Sequence, residues 1–214
     1  METPSDPTPI SHRISEGLAR LAAAMRSDDW TRAEATGLKP TQLAILDYLA
    51  GRDRPVRVKE IAVHLGVSQP TATDSIAALE RKGYAEKAAA AGDKRAAAVV
   101  VSAAGRAILA EASAAEGSAA AAARALPAGE QEDLLMSIVK MIRHLQEAEA
   151  IPVQRMCATC RYFRPYQHDD AAKPHHCDFV NAAFGQRDFR VDCREHETAD
   201  PATRAATWDA FQKG

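Results

Sequence analysis

The sequence predicts a mainly α fold with one small β-hairpin, followed by a small cysteine- and histidine-rich module. Three observations predict it. Apolar residues recur at helical spacing through most of the first 150 residues; Pro, Gly and Ser punctuate short helices in the middle of that span; and all four cysteines fall from Cys157 to Cys193. The 214 residues suit one full domain with an appendage, and a hydrophobic content of 46% permits a real core. Aromatics make up only 5%, so small side chains on helices must build much of that core.

Residues 1–10 are Pro-rich and polar and read as a disordered leader. Residues 11–150 read as the helical domain. Ile14, Leu18, Leu21 and Met25 mark its first helix. In "GLKPTQLAILDYLAGRDRP", Gly37 and Pro40 punctuate the start of a second helix, Leu43, Leu46 and Leu49 share one face, and Gly51 with Pro55 stops it. "VKEIAVHLG" gives a short third helix that turns Ile61, Ala62 and Leu65 inward and ends at Gly66. The fourth starts at a capping Ser68, carries Pro70 in its first turn, where the missing N–H costs nothing, and faces Ala72, Ile76 and Leu79 to the core.

After Gly83, "YAEKAAAAGDKRAAAVVVS" carries a Gly-Asp turn between two stretches and reads as a β-hairpin, despite alanines that make poor strands. Ser102 then opens an Ala-rich helix expected to run to about Leu126. Pro127 and Gly129 break it, and a further helix resumes with Leu134, Ile138, Met141 and Leu145 on one stripe. Residues 151–214 form the cysteine module and end in a short helix, with Pro201 in its first turn and Trp208 and Phe211 on one side.

Composition narrows the function classes. No apolar run reaches the roughly 18–20 residues that span a bilayer, and the N-terminus has Pro and acid where a signal peptide needs a basic and then apolar segment. A cytoplasmic location without membrane contact is the expectation. In a reducing compartment, clustered cysteines point to metal or redox chemistry before structural disulfides. Net charge is −2, but Arg57 to Arg95 holds seven Lys/Arg against five Asp/Glu, a local excess of basic charge.

Helix, short turn, helix and hairpin follow in the order of a winged helix-turn-helix. The second helix of such a pair lies in the major groove of DNA, with its N-terminal residues reaching base edges. Gln69, Thr71 and Thr73 then become base readers, since Gln bonds adenine bidentately and Thr offers a hydroxyl or a methyl. Arg81 and Lys82 at the far end suit phosphates, and Lys94 and Arg95 at the hairpin suit the backbone or minor groove. The same spacing also fits a generic helical domain whose threonines are merely solvated.

Residues 11–149 resemble the MarR family of bacterial transcription regulators. The resemblance rests on "LKPTQLAILDYLA", "VKEIAVHLGVSQPTATDSIAALERKGYAEK" and "GDKRAAAVVVSAAGRAIL", with Asp93, Arg95 and Gly105 at the family's pattern positions. It implies a homodimer held by the first and the last two long helices, a pseudo-palindromic double-stranded DNA site and a small-molecule effector in a cleft. It also implies that Asp93 orients the wing and Arg95 enters the minor groove. Asp74 departs from the family, which often carries a basic residue there, and this shifts recognition toward Gln69, Thr71, Thr73 and Ser75.

The module's spacing is Cys157-x2-Cys160-x16-Cys177-x15-Cys193-x2-His196, with His175 and His176 directly before the third cysteine. A C-x2-C pair sets two thiolates on one tight turn, close enough to share an ion. The expected ligands are Cys157, Cys160, Cys177 and Cys193, with His175, His176 and His196 as alternatives. Structural zinc, an iron–sulfur cluster and a metal-free dithiol switch at Cys157 and Cys160 all fit this pattern. Zinc is the leading expectation, and its role is stabilisation or the sensing of metal or redox state. A metalloenzyme or thiol-redox protein using the C-terminal Cys/His cluster is the competing class, with Asp192 or Glu195 as the general base beside a catalytic zinc. The ligand surplus and the lack of any substrate-pocket motif favour a regulator that is not an enzyme.

Overall fold

The computed structural model describes residues 8–90, 93–113 and 117–213, with the side chains of 90 and 93–97 left undescribed. The chain divides into two compact units, residues 1–125 and 126–214. Among the described residues no helix is long and apolar enough to cross a membrane. Most of the expected leader, residues 1–7, lies outside the described residues, but Ile10 already belongs to the first helix.

The first unit runs α1 (Ile10–Ala35), α2 (Pro40–Ala50), β1 (Val56–Arg57), α3 (Val58–Leu65), α4 (Gln69–Arg81), β2 (Ala85–Ala90), β3 (Asp93–Val101), α5 (Ala103–Ala112) and α6 (Ser118–Arg124). Helix α2 is its centre. Leu43, Ile45, Leu46 and Leu49 are all buried, as is Tyr48, so the helix is covered nearly all round rather than along one stripe. Ile61 of α3 and Ile76 and Leu79 of α4 join the same cluster, which Val56 and Val99 close from the sheet. The three strands are antiparallel in the order β1-β3-β2, with Val56 opposite Val99 and Ala85 opposite Val101.

Two junctions fix these elements to one another. Gly66 ends α3 in the left-handed conformation (φ 63°), and the Val67 N–H closes back on the Ala62 carbonyl at 3.0 Å. At the far side of the hairpin, the Ser102 hydroxyl donates to the Gly83 carbonyl (2.6 Å) and accepts from the Gly105 N–H (3.0 Å). The Ser102 N–H donates to the Tyr84 carbonyl at 3.1 Å. This draws the start of α5 so close to Tyr84 that a Cβ on Gly105 would overlap the Tyr84 carbonyl oxygen and press on Val101.

The single Ala-rich helix expected from Ser102 to Leu126 is instead two helices, α5 and α6. The Asp28 carboxylate of α1 accepts from both the Ser118 N–H (2.7 Å) and the Ser118 hydroxyl (2.8 Å). It caps α6 from outside, where Gly117 at the cap position has no side chain to do so.

The second unit holds α7 (Ala128–Glu147), β4 (Phe163–Arg164), β5 (His175–Cys177), β6 (Ala182–Phe184) and α8 (Pro201–Lys213). The strands pair antiparallel in the order β4-β5-β6, with Phe163 opposite Cys177 and His175 opposite Phe184. Helix α7, which the sequence assigns to the domain of residues 11–150, packs within the second unit. The reason is a second apolar face: Met136 and Val139 are buried with Met156, Phe163, Phe189, Trp208 and Phe211. The stripe singled out from sequence, Leu134, Ile138, Met141 and Leu145, remains 36–43% exposed. Helix α8 forms as expected and buries Trp208 and Phe211.

Replacing Gly105 by Ala gains up to about 1 kcal/mol of helix propensity. It also forces a methyl onto a backbone carbonyl that cannot swing aside, at a cost of about 1–3 kcal/mol for overpacking. Gly105→Ala is therefore expected to lower the urea midpoint of the first unit, and an unchanged midpoint would refute the tight approach.

Candidate functional site

The first site candidate is the exposed face of α4. Ser68 caps the helix by accepting from the Thr71 N–H at 3.2 Å, and its hydroxyl also bonds the Thr71 hydroxyl at 2.7 Å. The Thr73 hydroxyl donates to the Gln69 carbonyl at 2.8 Å. Both threonine hydroxyls are thus oriented by the helix itself and keep acceptor capacity. Ala72, Ile76 and Leu79 anchor the buried face, which leaves Gln69, Thr71, Thr73 and Asp74 exposed and Ser75 half-buried.

At the other end of α4, Arg81 is exposed, while the Lys82 ammonium donates to the Gly37 carbonyl at 2.7 Å. Lys82 therefore ties α4 to the loop before α2, a role that sequence reasoning missed, with two of its three N–H donors still available. Lys94 and Arg95 fall on β3 directly after the hairpin turn, and their side chains lie outside the described atoms.

The second candidate is a cavity of about 110 Å³ in the cysteine-rich unit, lined by Cys157, Cys160, Cys177 and Cys193. Its remaining wall includes Phe163, Phe179, Val180 and Phe184, together with Arg190 and Glu195. All four cysteines are free thiols, each half-buried. Backbone pairing places each one. Cys157 opens a 3-10 turn through Thr159, and its N–H donates to the Arg190 carbonyl at 3.0 Å. Cys160 makes an isolated bridge with Thr198, Cys177 is held by β5 opposite Phe163, and the Cys193 N–H donates to the Arg155 carbonyl at 2.9 Å.

The electrostatics are those of thiols crowded out of water. Burial pushes the Cys157 thiol up to about 12, and the three other cysteines add to the shift, against the Arg190 N–H that donates to its sulfur at 3.3 Å. Burial also raises Cys193, which donates to the Glu195 carboxylate at 3.3 Å and receives the Arg190 guanidinium at 3.6 Å. A cation at the cavity would reverse this preference, since metal binding favours the thiolate. Among the described residues, no group of three or more His, Cys, Asp and Glu side chains is drawn together as an ion site.

The three histidines offered as alternative ligands turn to other partners, and none is among the residues lining the cavity. His175 is completely buried, with the rings of Phe163, Tyr166, Phe184 and Phe211 4.9–5.5 Å away. Its Nδ1 accepts from the Tyr166 N–H at 3.3 Å. His196 Nε2 bonds the Thr159 hydroxyl at 3.0 Å, and His176 Nδ1 meets His168 Nε2 at 3.1 Å. Burial holds both His175 and His196 below the ordinary imidazole range.

The carboxylates considered as general bases are engaged as well: Asp192 pairs with Arg155 at 2.7 Å and Glu195 with Arg190 at 3.2 Å. Arg190, which serves two of the four sulfurs, was not singled out from sequence. Its only signal there is its place three residues before Cys193.

The family match falls within the first unit, while the structural matches extend over about two thirds of the chain. Residues 36–96 match the model of the MarR family, a span that runs from the end of α1 into β3. Among solved structures, a MarR-family transcriptional regulator from Silicibacter pomeroyi is 16% identical with a TM-score of 0.52, covering 64% of this chain and 90% of its own. The transcriptional repressor CouR bound to a 23-mer DNA duplex is 22% identical with a TM-score of 0.50, covering 66% and 99%. CouR from Rhodococcus jostii RHA1 bound to p-coumaroyl-CoA is 18% identical with a TM-score of 0.50, covering 68% and 97%. These likenesses show a shared winged-helix fold. The comparison with curated proteins gave no match.

Ser68 satisfies an orphan N–H at the start of α4, so Ser68→Ala is expected to cost about 1 kcal/mol. Chemical denaturation checks the value, and restoration by Ser68→Asp, which keeps an acceptor at the cap, separates capping from a general packing defect.

Proposed function

We propose that this chain, whose residues 36–96 match the MarR family model, is a DNA-binding transcriptional regulator. It acts as a homodimer on a pseudo-palindromic operator and carries a four-cysteine metal centre in its C-terminal unit. The observation that carries the reading is α4 itself. It is a capped helix, anchored on one face by Ala72, Ile76 and Leu79, that presents Gln69, Thr71 and Thr73 to solvent beside a hairpin bearing Lys94 and Arg95. A rigid helix with short polar side chains at its N-terminal end is what major-groove readout requires, and basic residues on the hairpin add contacts to the phosphates.

The homodimer is supported by apolar surface that one chain leaves open. Ile10, Ile14, Leu18, Leu21 and Met25 recur along α1 at spacings of three and four, each 39–69% exposed. Leu134, Ile138, Met141 and Leu145 do the same on α7. Long apolar stripes on two helices are the signature of a helical subunit interface. A two-fold dimer in turn presents two α4 helices to two half-sites, and this accounts for the pseudo-palindrome. The CouR complex with p-coumaroyl-CoA supports a small-molecule effector here too.

For the C-terminal unit, the support is the convergence of Cys157, Cys160, Cys177 and Cys193 on one cavity. A metal held there would link the 3-10 turn, β5 and the segment around Cys193, so its loss would loosen the unit that packs on α7.

Selection from a random duplex library should yield a pseudo-palindromic site. Gln69→Ala with Thr71→Ala should weaken that site by at least tenfold while sparing random duplex, because base contacts and not phosphates are lost. Arg81→Ala should weaken both alike and lower the salt slope by about one. Equal loss on both duplexes for the Gln69/Thr71 pair would count against base reading by α4.

Leu18→Glu combined with Met141→Glu should convert the dimer to a monomer in light scattering and abolish tight operator binding. A wild-type protein that is already monomeric would refute the dimer.

A further inference from the structure

We infer that the four cysteines hold a polynuclear iron–sulfur cluster rather than a single zinc ion. This rests on the metal-centre reading above and deepens it. Three observations carry it.

The first is scale. A tetrahedral zinc with Zn–S bonds of about 2.3 Å draws its sulfurs to within roughly 3.8 Å of one another. Among the described residues no group of three or more His, Cys, Asp and Glu is gathered as a single-ion site, yet all four cysteines border one cavity of about 110 Å³. A water molecule takes about 30 Å³ of liquid, so the space suits a polyatomic occupant.

The second is the frame. Each cysteine carries a backbone hydrogen bond or bridge to a distant segment. Cys157 is bonded to Arg190, Cys160 bridges to Thr198, Cys177 sits in register with Phe163, and Cys193 is bonded to Arg155. A single ion asks all four sulfurs to converge on one point. A cluster, whose irons stand apart and each take cysteine sulfur, fills the cavity with the frame intact.

The third is the wall. Phe163, Phe179, Val180 and Phe184 line the cavity along with the thiols, and Asp188 and Glu195 also border it. Bridging sulfides are soft and weakly hydrogen-bonding, so an apolar lining suits them. The terminal thiolates take the donors, with the Arg190 N–H at Cys157 and the Arg190 guanidinium at Cys193. On assembly from ferric iron and sulfide the four thiols release their protons to solvent as four iron–sulfur bonds form; a two-iron cluster keeps both irons ferric, and a four-iron cluster takes two electrons from dithiothreitol, which is oxidised to its disulfide. Clusters of the two-iron and four-iron types share this chemistry, and the iron count separates them.

The test is made on the full-length protein, purified and reconstituted anaerobically with iron salts, sulfide and dithiothreitol, with a parallel sample given zinc alone. The expected result is iron and acid-labile sulfide in equal amounts, two or four of each per chain, with a brown chromophore. Cys157→Ser, Cys177→Ser and Cys193→Ser should each lose most of the iron, and the wild-type stoichiometry stands as evidence even if those variants misfold. One tightly held zinc per chain with no uptake of iron or sulfide would overturn the cluster while leaving the metal-centre reading intact. Failure to bind either metal would overturn both.

Discussion

Ser102 stands where four elements meet. Its hydroxyl is shared between the Gly83 carbonyl, just past the end of α4, and the Gly105 N–H in the first turn of α5, while its own N–H reaches the Tyr84 carbonyl. Through these bonds the end of α4, the start of β2, the end of β3 and the start of α5 keep one arrangement. In the proposed DNA-binding reading the exposed residues of α4 and the basic residues of the hairpin meet one ligand together, which makes the relative placement of these elements the constraint on which the first unit depends. A buried polar junction is costly unless every group finds a partner, and at Ser102 they do.

The second unit reaches order by a different route. It has little aliphatic surface of its own between Arg155 and His196 and relies on rings: Phe163 lies within 5.8 Å of His175, Phe184, Phe189 and Phe211. Helix α7 contributes Met136 and Val139, and α8 contributes Trp208, to complete a core that the cysteine segment could not build alone. The ion pair of Arg187 with Glu132, at 2.6 Å, adds a tie from the 3-10 turn at Gln186–Asp188 to α7. The cysteines sit at the border of this aromatic core, where the backbone is already held by strand and turn.

The sequence was most legible where a residue type acts on its own neighbours. Pro40, Gly66, Ser68 and Pro201 mark helix ends by local chemistry, and α2, α3, α4 and α8 begin or end where those residues stand. It was least legible where a distant partner decides. Asp28 caps α6 from 90 positions away, and nothing within the Ala-rich tract reports that. His175 looked like a ligand because it neighbours Cys177, but the aromatic residues that enclose it come from three other segments. Strand β1 is only two residues long and exists because β3 offers it a ladder. Helix α7 carries two apolar faces, and periodicity alone drew attention to the one that stays in solvent. The four cysteines were legible as a set, whereas Arg190 became visible only through the fold.

Those two faces of α7 are nearly opposed. At about 100° per residue, the line through Leu134, Ile138, Met141 and Leu145 lies roughly 150° around the axis from the line through Met136, Val139, Arg143 and Gln146. The inner line is clamped by the aromatic core, and Gln146 adds a contact from its Nε2 to the Met156 sulfur at 3.8 Å, one residue before the first cysteine of the cavity. A helix gripped along one side has no freedom to roll. The cysteine unit therefore sets the rotational phase of the outer stripe, in the way a keyed shaft fixes the angle of a cam. The packing around Met156 and the orientation of the outer stripe therefore belong to one helix and one core.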